Sequence, residues 1–370
     1  MQIGEEQLKH MKQYLPDKIS LEVLQKVVEK LPDQAPVQSL MPVIADAVGS
    51  LSETASDEQK VSHIMRHLQN MGKKSRQEDP GDSKKITRAY FDDLKVEMRL
   101  IDSVEPDTTV RYFGHEFSSP VMTTALSHLG TFHQDWDSPM ERYAKGAAQA
   151  NVMHWVGMIE NTEYERLTAS GAKMVRIVKP YADEKKIIDQ LKMAEETGAI
   201  AVGMDLDHTF TKNGNLDVVM GQKMAVKSRE QLQAYAKATS LPFIIKGVLS
   251  VTDAVKCKEM GVDAIVVSHH GGRMPYAVPP LMVLPEIRKA VGDAMLIFVD
   301  CGIQSGLDAY KAMALGADGV CVGTHLVPYI KESVDAVADR LQEMNAEMKG
   351  MMAYTNVPDC RSFDASVLHR

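Results

Sequence analysis

The sequence predicts an α/β protein, a (β/α)8 TIM barrel with an N-terminal helical extension. Three observations carry that prediction. Eight short apolar runs recur between residues 121 and 322. Most are separated by amphipathic stretches of helical length. Several end directly in charged, histidine or glycine residues, as strands do at the catalytic rim of a barrel. A doubly wound sheet needs fewer strands, and no GxGxxG follows the first run.

Residues 1–85 read as a helical region and linker. Leu21, Leu24, Val27, Val28 and Leu31 fall at helical spacing, as do Val61, Ile64, Met65 and Leu68 within Asp57 to Leu68. The polar stretch Met71 to Lys85, with Gly72, Pro80 and Gly81, predicts a flexible connection. The barrel domain spans 86–370 and opens with an approach segment containing a short strand at Thr109 to Phe113. The eight runs are Val121–Ala125, Ala150–Trp155, Met174–Val178, Ile200–Met204, Phe243–Ile245, Ala264–Val267, Met295–Val299 and Gly319–Val322. Asp183 to Thr197 and Ser228 to Thr239 are among the intervening helices. The tail beyond Val327 is predicted helical to about Met351, then irregular.

A hydrophobic content of 44% supplies a core, and a net charge of -8 argues against nucleic-acid binding. The first residues, Met1 to Glu6, carry no basic leader, and no apolar stretch is long enough to span a membrane. A cytoplasmic protein is expected. The four cysteines, Cys257, Cys301, Cys321 and Cys360, form no CxxC pair, so no metal centre is expected. Cys301 stands out because it lies in a predicted active-site turn.

The segment Ser268-His269-His270-Gly271-Gly272-Arg273 follows the apolar run ending at Val267. A base and a cation three positions apart suit removal of hydrogen from an anionic substrate whose carboxylate is held. Asp300 to Gly306 and Gly316 to Thr324 are glycine-rich turns at the seventh and eighth strand positions, where barrels often hold a phosphate.

These segments, with Ile244 to Leu249, Gly261 to Arg273, Leu284-Pro285-Glu286-Ile287 and Ala312 to Gly323, resemble the FMN-dependent 2-hydroxy acid oxidases and dehydrogenases of the glycolate oxidase and lactate oxidase type. The resemblance is strong over about residues 240–330, weaker back to about 109, and negligible over the first eighty or so. It implies bound FMN, a small carboxylate substrate, an electron acceptor that the sequence does not identify, and a homotetramer. It makes His270 the catalytic base, Asp205 its orienting partner and Arg273 the carboxylate clamp. His269 stands where asparagine is usual and takes a supporting or substrate-contact role. Lys246 is placed beside the flavin N1 and O2 region, and Thr123-Thr124-Ala125 and Ser268 are also placed with the cofactor. Asp300 falls near the ribityl chain, and Gly302 and Gly323 near the phosphate.

The departures are as specific as the matches. Gln304 and Thr324 replace arginines that contact the phosphate. Arg176 stands where a flavin-contacting glutamine is usual and becomes a candidate cation near the ring. Val178 replaces a substrate-facing tyrosine, and Gly203 a threonine. Leu206-Asp207-His208-Thr209 lacks the usual proline, so His208 and His154 become candidates to line an altered pocket. A larger or less usual 2-hydroxy acid follows. Two alternatives stay open: an FMN-dependent isomerase or reductase, and a non-catalytic ligand-binding paralogue. The intact Asp205, His270 and Arg273 set opposes the second.

Overall fold

In a computed structural model of the chain the eight apolar runs become eight parallel strands: β1 (Val121–Thr123), β2 (His154–Val156), β3 (Met174–Val178), β4 (Ala201–Asp205), β5 (Phe243–Val248), β6 (Ala264–Val267), β7 (Leu296–Val299) and β8 (Gly319–Val322). The structure describes residues 5–13, 15, 17–31, 37–51, 55–74, 81–127, 129 and 138–370. Neighbouring strands run in the order β1-β8-β7-β6-β5-β4-β3-β2. The circle closes through a parallel bridge between Leu126 and Val156 and through the Trp155 amide, which donates to Thr123 Oγ1 at 2.9 Å. The second strand starts four residues later than its apolar run suggests, because Ala150 to Met153 cap the preceding helix and turn into the sheet.

Helices follow the strands on the outside, among them Asn161–Thr168, Glu184–Glu196, Arg229–Ala236, Val251–Met260, Pro280–Val291 and Gly306–Ala314. Their starts are chemically marked: Asp183, Ser228, Ser250 and Ser305 each accept a backbone N–H of the first turn. The predicted tail helix is two helices, Val327–Glu332 and Val334–Tyr354. Ser333 separates them and caps the second.

The barrel is plugged from below. The hairpin Val110–Tyr112 and His115–Phe117 places Tyr112 under the strands. Its hydroxyl donates to the Asp318 carbonyl, and its ring meets Phe298 edge-on at 5.2 Å, with Trp155 against the same ring at 5.3 Å. Above this layer, strand register decides what reaches the mouth. Ile177, Gly203 and Ile244 lie side by side on β3, β4 and β5. A Cβ at position 203 would sit 2.9 Å from Ile177 Cδ1 and 2.8 Å from Ile244 Cβ, so the two isoleucines fill the space that a threonine would need. Two residues further along each chain, Lys179, Asp205 and Lys246 share that inward face, as the period of a strand requires.

The chain divides into two units, one of residues up to 80 together with Val218–Lys223, the other of 81–217 and 224–370. In the first, helices Glu5–Lys12, Leu21–Glu29, Val37–Gly49 and Asp57–Lys74 surround a core that includes Val23, Leu24, Val27, Val28, Ile44, Val48, Val61 and Ile64. The predicted connection, Met71 to Lys85, is narrower than its composition suggests. The fourth helix runs on to Lys74, and a helix, Ser83–Asp93, begins behind the Asp82 cap; residues 75–80 lie outside the described residues. Among the described residues no helix is long and apolar enough to cross a membrane.

Candidate active site

At the mouth, three carboxylates meet two ammoniums and an imidazole. Asp205, ending β4, pairs with Lys179 at 2.5 Å and lies 3.9 Å from Lys246. Lys246 also reaches Asp207 and Asp300, each at 3.3 Å, and Ser268 Oγ at 3.2 Å. His270 Nδ1 lies 2.7 Å from Asp207, 3.3 Å from Asp205 and 3.2 Å from Lys246 Nζ. Asp207 enters only because residue 247 is glycine. Gly247 has a φ of +95°, and a Cβ there would lie 2.9 Å from the Asp207 backbone and side chain.

The electrostatics follow from the count. Asp205, Asp207 and Asp300 outnumber Lys179 and Lys246 by one charge, which an imidazolium cancels. Burial and the Lys246 ammonium push His270 down, but Asp205 and Asp207 outweigh them and hold its pKa above the ordinary histidine value. Burial would raise Asp205, yet Lys179, Lys246 and His270 keep it well below the usual carboxylate range. Burial likewise opposes the charge on Lys246, and the three carboxylates hold it well above the usual lysine value. Asp205, Asp207, His208 and His270 present ligand atoms within 4.8 Å of one another. A metal ion there would face two fixed ammoniums on the same carboxylates.

The other ring nitrogen of His270 is Nε2. It lies 3.1 Å from His208 Nε2, and the two rings stand edge-to-face at 4.3 Å. Burial lowers the His208 pKa, an effect partly offset by Asp217, which lies 3.4 Å from Nδ1. The proton of this pair therefore belongs on His270. Arg273 comes from the same turn. Its NH2 group pairs with Asp217 and donates to the Phe210 carbonyl at 2.6 Å, while its buried Nε has no hydrogen-bond partner. A guanidinium can hold a carboxylate through paired hydrogen bonds, and in this structure Asp217 occupies that role on NH2.

Other candidates fall elsewhere. His269 points away from the pocket. Its Nδ1 accepts from the Gly272 amide at 3.0 Å, so Nε2 carries the hydrogen and donates to Thr87 Oγ1 at 2.8 Å. With both nitrogens spent it supports the loop, and the expected substrate contact is corrected. Arg176 is also corrected. It projects outward between helices, where it donates to Asn161 at 2.8 Å and Met193 Sδ at 2.9 Å and lies over the Tyr164 ring at 4.4 Å. His154 is buried under Tyr143, and burial lowers its pKa to about 3; it does not line the pocket. Cys301 donates to Asp300 at 2.9 Å, and burial beside that carboxylate raises its pKa, so the thiol stays protonated.

Three contributors escaped the sequence reasoning: Lys179, Asp207 and Asp217. Lys179 carried a usable signal, a charge directly after the apolar run of β3 and two residues after Ile177. Asp207 and Asp217 sit in the loop after β4, and only its folded path brings them back.

At the end of β1, Thr123 spends its hydroxyl on closing the barrel, and the Thr124 amide donates to Tyr143 Oη at 2.9 Å. Ala125 follows at the rim, partly exposed. Gly323 lies so close to Thr124 that a Cβ would be 2.9 Å from its methyl group. Gln304 and Thr324 are exposed at the ends of the last two loops.

The profile of the FMN-dependent dehydrogenase family matches residues 74–234 and 215–370. The chain is 26% identical over 294 residues to a peroxisomal (S)-2-hydroxyacid oxidase of Arabidopsis thaliana, covering 70% of this chain and 80% of that protein. It is 27% identical over 302 residues to 4-hydroxymandelate oxidase of Amycolatopsis orientalis, covering 72% and 83%. Among solved structures, a mandelate oxidase variant with a monooxide FMN adduct superposes with a TM-score of 0.69 at 28% identity, covering 79% of this chain and 92% of the other. The donor set fits a flavin at its ring end: a buried cation, Lys246, stands among strand-end groups beside Ser268 and Asp300, where negative charge on a reduced ring would be stabilised.

Proposed function

This chain belongs to the FMN-dependent dehydrogenase family, and on that footing we propose that it oxidises a 2-hydroxy acid to the 2-oxo acid. The observation that carries the proposal is the turn from Ser268 to Arg273. It joins a histidine whose Nδ1 lies within 3.3 Å of two carboxylates and 3.2 Å from Lys246 Nζ to an arginine whose NH2 group already pairs with a carboxylate, Asp217. Arg273 binds the substrate carboxylate and fixes the carbinol carbon against the base. In its neutral form, after giving up the proton it shares with His208, His270 receives a proton from the carbinol group at Nε2, and Asp205 with Asp207 stabilises the resulting imidazolium. Lys179 keeps Asp205 ionised and in place. Bound FMN supplies the acceptor for the two electrons and the second hydrogen of the oxidation. Lys246, Ser268, Asp300 and the Thr123–Ala125 backbone would hold it.

The substrate shell is proposed to be remodelled. His208 stands at the working nitrogen of the base, Val178 offers no hydroxyl, and Asp217 engages the clamp. A substrate must displace Asp217 from Arg273 or bind the guanidinium from its other edge. These groups favour an acid larger than glycolate or lactate.

The test is an anaerobic visible spectrum of the protein, recorded before and after a panel of 2-hydroxy acids from glycolate to aryl-substituted acids. Bleaching of the flavin band by a larger member is expected. A flavin band that no member bleaches removes 2-hydroxy acid oxidation from consideration.

A further inference from the structure

Barrel enzymes often hold a phosphate between the loops after the seventh and eighth strands, using backbone amides and nearby cations. In this chain the cations at that end are already matched. Arg88 donates to the Gly302 carbonyl at 3.0 Å and forks onto Asp308 at 2.7 and 2.9 Å. Arg340, from the helix Val334–Tyr354, donates to the Gln304 carbonyl at 3.0 Å and to His325 Nε2 at 3.1 Å. It also pairs with Glu343 and Glu347, both at 3.1 Å.

The amides are partly spent too. Gln304 N–H donates to Asp308 at 3.0 Å, and Gly306 N–H donates to Glu347 at 2.5 Å. Arg88, Arg340 and Lys311 against Asp92, Asp308, Glu343 and Glu347 leave one net negative charge. The loops themselves contribute Gln304 and Thr324, both neutral. A phosphate monoester brings roughly two further negative charges at neutral pH. Hydroxyl and amide donors can receive it, but no charge-assisted pair offsets the surrounding carboxylates.

We infer that this site reads the ring and ribityl chain of its flavin and hardly reads the phosphate, so that riboflavin binds about as well as FMN. The inference rests on the flavin assignment made above. The test equilibrates the full-length protein with equal concentrations of FMN and riboflavin, isolates it by gel filtration, and separates the flavins it releases. A bound ratio of FMN to riboflavin within about threefold is expected, against a preference of tenfold or more where an arginine pairs with phosphate. A ratio above about tenfold overturns the inference and leaves the flavoprotein intact. Protein carrying neither flavin overturns both. Gln304→Arg combined with Thr324→Arg should move the ratio toward FMN by about tenfold. An unchanged ratio would show that these loops do not face the phosphate, and would overturn the inference as well.

Discussion

At one side of the barrel mouth, β3, β4 and β5 deliver Lys179, Asp205 and Lys246 into a buried cluster around Nδ1 of His270. At the other side, the loops after β7 and β8 present Gln304 and Thr324, and Arg88 and Arg340 are committed to carboxylates of the chain. The first side is built on adjacent strand ends two residues above a packed Ile177–Gly203–Ile244 layer, so its geometry is set by register. The second is built on loop ends, where a substitution costs little packing. The charged cluster stands on rigid elements, and the neutral Gln304 and Thr324 stand on loops, where exchange is cheaper.

The comparison breaks most visibly at His270. His270→Ala should lower the rate of flavin reduction by about 10²- to 10⁴-fold while the flavin stays bound, because a positioned general base is worth that much. Stopped-flow reduction of the flavin checks it, and rapid reduction in the variant would remove the base assignment. Asp205→Asn comes next. It leaves Lys179 and Lys246 buried with one carboxylate fewer, a loss of about 3 kcal/mol or more by analogy with broken buried pairs. Denaturant unfolding measures this, and a variant as stable as the parent would mean that the cluster is open to water.

The pH dependence sharpens the same contrast. His270 accepts a proton only when neutral, and its pKa is raised. kcat/KM should therefore rise with pH through a value above that of free histidine, falling about tenfold per unit on the acid side. Stability runs the other way over that limb. The raised pKa of His270 contributes stability that is complete below the unfolded value and is lost as pH rises through the folded one. Asp205, with its depressed pKa, adds stability above the ordinary carboxylate range that is lost as pH falls below it. In Asp205→Asn the activity limb should move to lower pH. A limb that stays put would assign the titration to another group.

What the sequence disclosed divides along the same line. Run, turn and helix were legible because periodicity and caps are local: β3, β6 and β8 fall on their apolar runs residue for residue. Motif and spacing single out His270 and Arg273, family resemblance singles out Asp205, and the structure brings Asp205 to 3.3 Å from His270. Asp217 was not legible, since its place beside Arg273 depends on a loop that leaves β4 and returns twelve residues after Asp205. Arg176 was misplaced for a different reason. All five residues of β3 are buried, so no alternation of polar and apolar positions tells the inward face from the outward one.

Arg176 therefore supplies the smallest expected effect and the cleanest control. It is 1% exposed, and its partners are an amide oxygen, a thioether, a carbonyl and the Tyr164 ring, with no carboxylate among the described residues in an ion pair. Burial lowers its pKa, so holding the charge costs stability that hydrogen bonds and the aromatic face must offset. Arg176→Met keeps the length and apolar stem of the side chain while removing the charge. The two changes oppose each other, and unfolding free energy should shift by less than about 1 kcal/mol in either direction. Because the side chain points to the helices Asn161–Thr168 and Glu184–Glu196, flavin affinity and the flavin spectrum should not change. A tenfold loss of flavin affinity in this variant would put the guanidinium back at the ring and reverse the outward assignment.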